Sequence, residues 1–214
     1  GYPLDVAVVP KTIDNDLMET DHCPGYGSIA RYVASITQEA GCDTLAMSTV
    51  DRVKIIEVMG RDAGWLAISS ALGKRQERDP PHVIALPEVS LDVERFLQRM
   101  EEAHRRFGYA LAVVAETVRS TVGVIGQQLE PEHVDDFGHK YFQGPACHLA
   151  LELSHRLNKQ VRHEIPGTVQ RSMTAVASVT DAREAEMVGR AAVKYALSGE
   201  TDRIVTLVRN GGEP

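Results

Sequence analysis

Val53-Lys54-Ile55-Ile56-Glu57-Val58-Met59-Gly60-Arg61-Asp62-Ala63-Gly64 joins a short run rich in β-branched residues to a glycine turn and then to residues able to open a helix. Branched side chains suit the pleated surface of a buried strand, and glycines let the backbone reverse and approach its neighbours closely. The same unit recurs in both directions from residues 53–59. Apolar runs at residues 4–9, 83–86, 109–115, 161–165 and 203–208 read as further strands. Between them Ile29, Val33, Ile36 and Ala40 recur at helical spacing, as do Val93, Phe96, Leu97, Met100, Ala103 and Phe107. Two later stripes obey the same rule: Ala146, Leu149, Ala150, Leu153 and Leu157, then Ala185, Val188, Ala191, Ala192 and Tyr195. Asp181 and Glu184 are expected to cap the start of the last helix and Gly199 to stop it. Strands alternating with helices predict an α/β fold with mostly parallel sheets flanked by helices, the apolar stripes forming its core.

The chain has 214 residues, 43% of them hydrophobic, enough to bury the core of one large domain or two small ones. Thirty acidic against 23 basic residues leave a net charge of −7, which argues against nucleic acid as a partner held by broad phosphate neutralisation. No apolar run approaches the roughly twenty residues of a membrane span, so no membrane partner is expected. Cys23, Cys42 and Cys147 are widely spaced without a C-x-x-C pair. Neither a disulfide framework nor a zinc knuckle is expected, and a reducing, cytoplasmic setting fits. The eight histidines show no H-E-x-x-H or similar spacing, so a transition-metal site is not expected either. Gly1-Tyr2-Pro3 opens directly onto a strand-like run, which reads as the interior of a longer chain with no secretory leader. Residues 116–144 break the alternation. They carry Pro131, His133, His139 and the acidic group Glu130, Glu132, Asp135 and Asp136, and are expected to form a long functional or mobile excursion.

Pro10-Lys11-Thr12-Ile13-Asp14-Asn15-Asp16 follows the first strand, placing two carboxylates, a hydroxyl and an amine at a strand's carboxyl end, where ligands bind in open α/β sheets. Asp14 and Asp16, two residues apart, can share a site in which one takes a proton and the other holds a cation. Composition alone favours a plainer reading, an Asx-rich turn capping the next helix. The strand, glycine turn and helix start around Gly60 and Gly64 form an anion seat, beside which Arg61 could stabilise charge on a phosphoryl group, or could simply pair with Glu57. Arg52, Arg162 and Arg171, each at a strand edge or glycine turn, would make a phosphate pocket if they converged and are ordinary surface arginines if they do not.

The segments Pro10-Lys11-Thr12-Ile13-Asp14-Asn15-Asp16, Met59-Gly60-Arg61 and Gly167-Thr168-Val169-Gln170-Arg171 resemble, in this order and within the same βα framework, three motifs of the phosphofructokinase family. Arg52, seven residues before Met59, and Arg162, nine before Arg171, add to the match, which covers nearly the whole chain. The resemblance implies phosphoryl transfer from ATP or pyrophosphate to the 1-hydroxyl of fructose 6-phosphate, giving fructose 1,6-bisphosphate. It makes Asp14 the general base, places Thr12 near the reacting oxygen, gives Asp16 a part in organising Mg²⁺ and the donor, and assigns Arg61 to the developing charge. Met59, Gly60 and Glu116 would contact the sugar, while Arg52, Arg162 and Arg171 would clamp its 6-phosphate. In the family Arg52 and Arg162 match residues that reach in from a neighbouring subunit, which implies a homodimer or homotetramer with shared active sites. A two-lobe fold is implied, with residues 1–27 ending a donor-binding lobe, 28–171 forming a sugar-phosphate lobe and 172–214 returning to the first lobe.

The sequence departs from the family pattern in several places. Thr168 stands where many members have a histidine contacting the sugar phosphate, and Ser172 where glycine is frequent. Lys11 replaces the glycine of compact ATP-dependent enzymes and accompanies pyrophosphate use in the family, although it also occurs in some ATP-using branches. The donor-binding glycines fall upstream of Gly1, so the chain taken alone is expected to be inactive. Two other readings stay open: a non-catalytic sugar-phosphate-binding or regulatory module of the same fold, and a structural or interaction domain.

Overall fold

A computed structural model of the chain describes residues 2, 4–47, 50–127, 131, 133–134, 138 and 140–209. Its centre is a four-stranded, wholly parallel sheet formed by β2 (Val53–Val58), β3 (Val83–Ala85), β4 (Ala110–Ala115) and β9 (Arg162–Glu164), in the order β3-β4-β2-β9. The two inner strands are buried at every position, as expected of parallel strands covered on both faces. The helices α1 (Tyr26–Ala46), α2 (Trp65–Ser69), α3 (Val93–Phe107) and α4 (Pro145–Leu157) pack around the sheet. β1 (Ala7–Val8) pairs in parallel with β10 (Arg203–Ile204) in a separate two-stranded sheet, against which α5 (Val179–Leu197) packs.

The strongest helical stripe forms the best-defined helix. Asp92 caps α3 by accepting from the Arg95 amide at 3.0 Å, and Gly108, at φ +80°, closes it by donating to the His104 carbonyl at 2.9 Å. Phe96, Leu97, Met100 and Ala103 are buried on the sheet. α5 differs from expectation at its start. Ser178, not the Asp181 and Glu184 pair, is the cap, its hydroxyl accepting from the amides of Thr180 and Asp181. Asp181 instead turns inward, where its carboxylate accepts from the amide and hydroxyl of Ser28 at 2.6 and 2.5 Å, while Glu184 meets His22 at 2.6 Å. Gly199 does follow the helix end at φ +78°. Of the expected α5 stripe, Val188 and Ala192 are buried and Tyr195 is exposed.

The outer strands are shorter than the apolar runs that announced them, because the β1–β10 pairing stops early: past it Leu207 exchanges hydrogen bonds with Thr20 and Asp21 instead of with β1. Residues 4–9 yield only Ala7–Val8, and residues 203–208 only Arg203–Ile204. The excursion after β4 contains two short antiparallel hairpins, β5 (Arg119–Ser120) with β6 (Gly123–Val124), and β7 (His133–Val134) with β8 (Lys140–Tyr141). Glu130, Glu132, Asp135, Asp136 and His139 lie outside the described residues. Among the described residues Cys23, Cys42 and Cys147 form no disulfide, and no helix is long and apolar enough to cross a membrane.

Candidate active site

The carboxyl edge of the central sheet carries the second and third motifs. After β2 the chain turns through Gly60 at φ +135° and Arg61 at φ +48°. A side chain at position 60 would place its Cβ 2.6 Å from the Ala63 carbonyl oxygen, so this turn requires glycine. Glu116, immediately after β4, clamps the turn: its Oε1 accepts from the Gly60 amide at 3.2 Å and the Arg61 amide at 2.9 Å. The Thr117 hydroxyl donates to the Arg61 carbonyl. One oxygen of Glu116 is therefore occupied by backbone, and the resemblance alone gave no sign of this. Its second oxygen makes no hydrogen bond among the described residues.

Two residues that the sequence reading left without a role hold this edge together. Gln170, buried within the 3₁₀ turn Gly167–Arg171, accepts from the Met59 amide at 3.2 Å and donates to the Gly167 carbonyl at 3.2 Å, tying the third motif to the second. Glu57 is 7% exposed and does not pair with Arg61; its Oε2 accepts from the Ala146 amide at 3.0 Å, at the start of α4. Burial raises its carboxyl to about 7, the Glu116 charge adding to the shift and the Ala146 amide opposing it. The available signals were slight: a lone carboxylate inside an apolar run and a glutamine between two glycine-motif residues. Glu57, Arg61, Glu116, Thr117, Phe142 and Gly144 line a cleft of about 510 Å³.

At the start of α2 the expected anion seat is already filled by protein, since Glu88 Oε1 accepts from the Gly64 amide at 2.7 Å. Arg61 lies free of that contact. The loop of residues 11–16 leaves β1 and is fixed locally. Thr12 Oγ1 accepts from the Asp14 amide at 3.1 Å, Asn15 sits at φ +56° with its side chain accepting from the Cys23 amide at 2.9 Å, and Ile13 packs on the main core. The loop turns locally but does not cap α1, whose N-cap is Gly25 with no side-chain hydrogen bond, and it leaves the side chains of Lys11, Asp14 and Asp16 without a hydrogen bond or ion pair among the described residues. The same holds for the guanidinium groups of Arg61 and Arg171.

Arg52 and Arg162 are elsewhere. They stand at the amino edge of β2 and β9, so a strand length of about 20 Å separates them from Arg61. Arg52 donates to the carbonyls of Met47 and Gly108, which follow α1 and α3, and Arg162 pairs with Asp51 at 2.5 Å. Within one chain these two arginines do not join Arg61 and Arg171.

Parallel βα units, a glycine turn clamped by a carboxylate at the carboxyl edge of the central sheet and a loop after β1 presenting two unpartnered aspartates define an α/β protein whose polar loops follow its parallel strands, the place where ligands bind in open α/β sheets. Residues 2–196 match the phosphofructokinase family, and the chain belongs to it. It is 39% identical over 215 aligned positions to the pyrophosphate–fructose 6-phosphate 1-phosphotransferase of Halomonas elongata, covering all of this chain and 51% of that protein. An ATP-dependent 6-phosphofructokinase of Mycobacterium bovis is 35% identical over 207 positions, covering 95% and 56%. The crystal structure of a pyrophosphate-dependent phosphofructokinase from Marinobacter aquaeolei superposes with a TM-score of 0.83 at 37% identity, covering 98% of this chain and 48% of that one. The chain thus spans about half the length of the curated relatives it matches.

Proposed function

We propose that the protein carrying this chain transfers a phosphoryl group to the 1-hydroxyl of fructose 6-phosphate. The observation that carries this reading is the set formed by Lys11, Asp14, Asp16, Arg61 and Arg171, which the fold of a phosphofructokinase family member leaves without internal hydrogen bonds or ion pairs. In the step itself, Asp14 accepts the hydroxyl proton as the sugar oxygen bonds to the terminal phosphorus and the bond to the leaving phosphate breaks. Such a transfer asks the protein mainly for alignment and charge stabilisation, which a base, a cation and an arginine supply. Arg61, on its clamped turn, faces the charge that develops, and Thr12 holds the sugar near the reacting oxygen.

Mg²⁺ is proposed to sit with Asp16 and the donor phosphates, neutralising their charge. The residues fit this arrangement: Asp16 is exposed and unpaired, and the described residues hold no group of three or more ligand side chains, whereas Mg²⁺ typically uses one or two carboxylates plus substrate phosphate. Pyrophosphate is the favoured donor, because the Lys11 ammonium is available to bind an inorganic leaving group and relatives 37–40% identical over the chain are named for it. Met59, Gly60 and Glu116 are assigned to the sugar. Arg52, Arg162 and Arg171 are assigned to its 6-phosphate, with the first two contributed by a second copy in a homodimer or homotetramer, since one chain keeps them at opposite sheet edges. Residues 1–27 and 172–214 are assigned to one lobe and residues 28–171 to the other, in a cytoplasmic enzyme. With fructose 6-phosphate and either donor, the whole natural protein should release orthophosphate from pyrophosphate faster than ADP from ATP. Faster ADP release would overturn the donor, and no turnover with either would overturn the activity.

A further inference from the structure

We infer that Glu57 is a positioning residue of the sugar cleft, whose proton governs how well the cleft accepts an anionic sugar. The inference rests on the reading of that cleft given above and goes beyond it, since Glu57 has no role there. Three features of the fold carry it. In the β2–β4 register Glu57 pairs with Val114, so Glu116, two residues further on, projects on the same face of the sheet as its diagonal neighbour. On the helix side the carboxyl is pressed against backbone: a Cβ at Gly144 would lie 2.1 and 2.3 Å from its two oxygens, and Oε2 takes the Ala146 amide. Oε1 makes no hydrogen bond among the described residues, and Glu57 lines the cleft that also contains Arg61 and Glu116.

Among the described residues the charges around Glu57 are few. β4 contributes Glu116, the turn after β2 contributes Arg61, and β9 places His163 on the shared face through its pairing with Ile55. α4 offers its amide end, with His148 within its first turns, and the Gly144–Pro145 step is uncharged. Ionising Glu57 sets a second carboxylate, itself buried, beside Glu116. That second charge opposes an incoming sugar phosphate and draws Arg61 away from the donor. A proton on Glu57 leaves Glu116 as the single anion among the described residues lining the cleft, where it holds the turn and accepts sugar hydroxyls. Burial beside a like charge brings this titration to about 7.

Binding of fructose 6-phosphate to the whole natural protein, measured by calorimetry without donor from pH 6 to 9, should weaken above pH 7, approaching roughly tenfold per unit if only the protonated form binds. Repeating the titration in buffers of different ionisation heat should show proton uptake at pH 7.5. Glu57→Gln, permanently neutral and able to accept from Ala146, should lose both the pH step and the uptake. The same step and uptake in the variant would overturn the inference while leaving the function intact. Should the variant not fold, absence of proton uptake by the wild type would overturn it equally. A wild type that does not bind fructose 6-phosphate at all would overturn the reading of the cleft and this inference together.

Discussion

Glu57 also sets a pH dependence of stability. Its folded pKa, about 7, lies above the ordinary 4.5, so the folded state holds this proton more tightly than the unfolded chain does. The stabilising contribution is therefore fully present below about pH 4.5 and is lost as pH rises through about 7. Glu57→Gln removes a loss that the wild type suffers only when ionised. Denaturant unfolding should find the variant more stable at pH 8 by about 1–3 kcal/mol and nearly equal to wild type at pH 4.5. An identical difference at both pH values would mean that the carboxyl does not titrate in this range. Lys54, on the opposite face of β2, shows the other solution to a buried charge: at 3% exposure it is flanked by Asp43 at 3.0 Å and Glu164 at 2.7 Å.

Elements were legible where one rule acted alone. The stripe from Val93 to Phe107 has an acceptor before it and a glycine after it, and α3 has those bounds. Asp92→Ala should lower stability by about 1 kcal/mol in thermal unfolding without altering the active-site cleft, and no change would remove its capping role. The start of α5 was misread because three polar residues competed for the cap. Ser178 won, and Asp181 was taken by Ser28, a partner 153 positions away in sequence. Strand ends were blurred for a related reason, since apolar residues continue past the last ladder bond in β1 and β10. At the site, the motifs located the Gly60 turn and the loop of residues 11–16. What clamps the Gly60 turn, Glu116 Oε1 and Gln170, depends on side chains meeting across 56 and 111 positions, which spacing along one chain does not encode.

At the scale of the whole molecule, the fold divides the guanidinium groups between two edges of one sheet. Arg61 lines the cleft and Arg171 ends the turn that follows β9 at the carboxyl edge, while Arg52 and Arg162 stand at the amino end of β2 and β9. A site drawing on all four needs two copies, so inactive variants should complement each other. Asp14→Asn mixed and reassembled with Arg162→Ala should recover activity through sites pairing two unaltered contributions, and assemblies that stay inactive would argue for sites complete within one chain. The central claim concerns the carboxylate after β1. In the whole natural protein, the steady-state kcat for fructose 6-phosphate phosphorylation by Asp14→Asn should fall by roughly 10²- to 10⁴-fold, with the KM for the sugar changed little. A kcat equal to that of the wild type would contradict the account, because the proton of the attacking hydroxyl would then be leaving by another route.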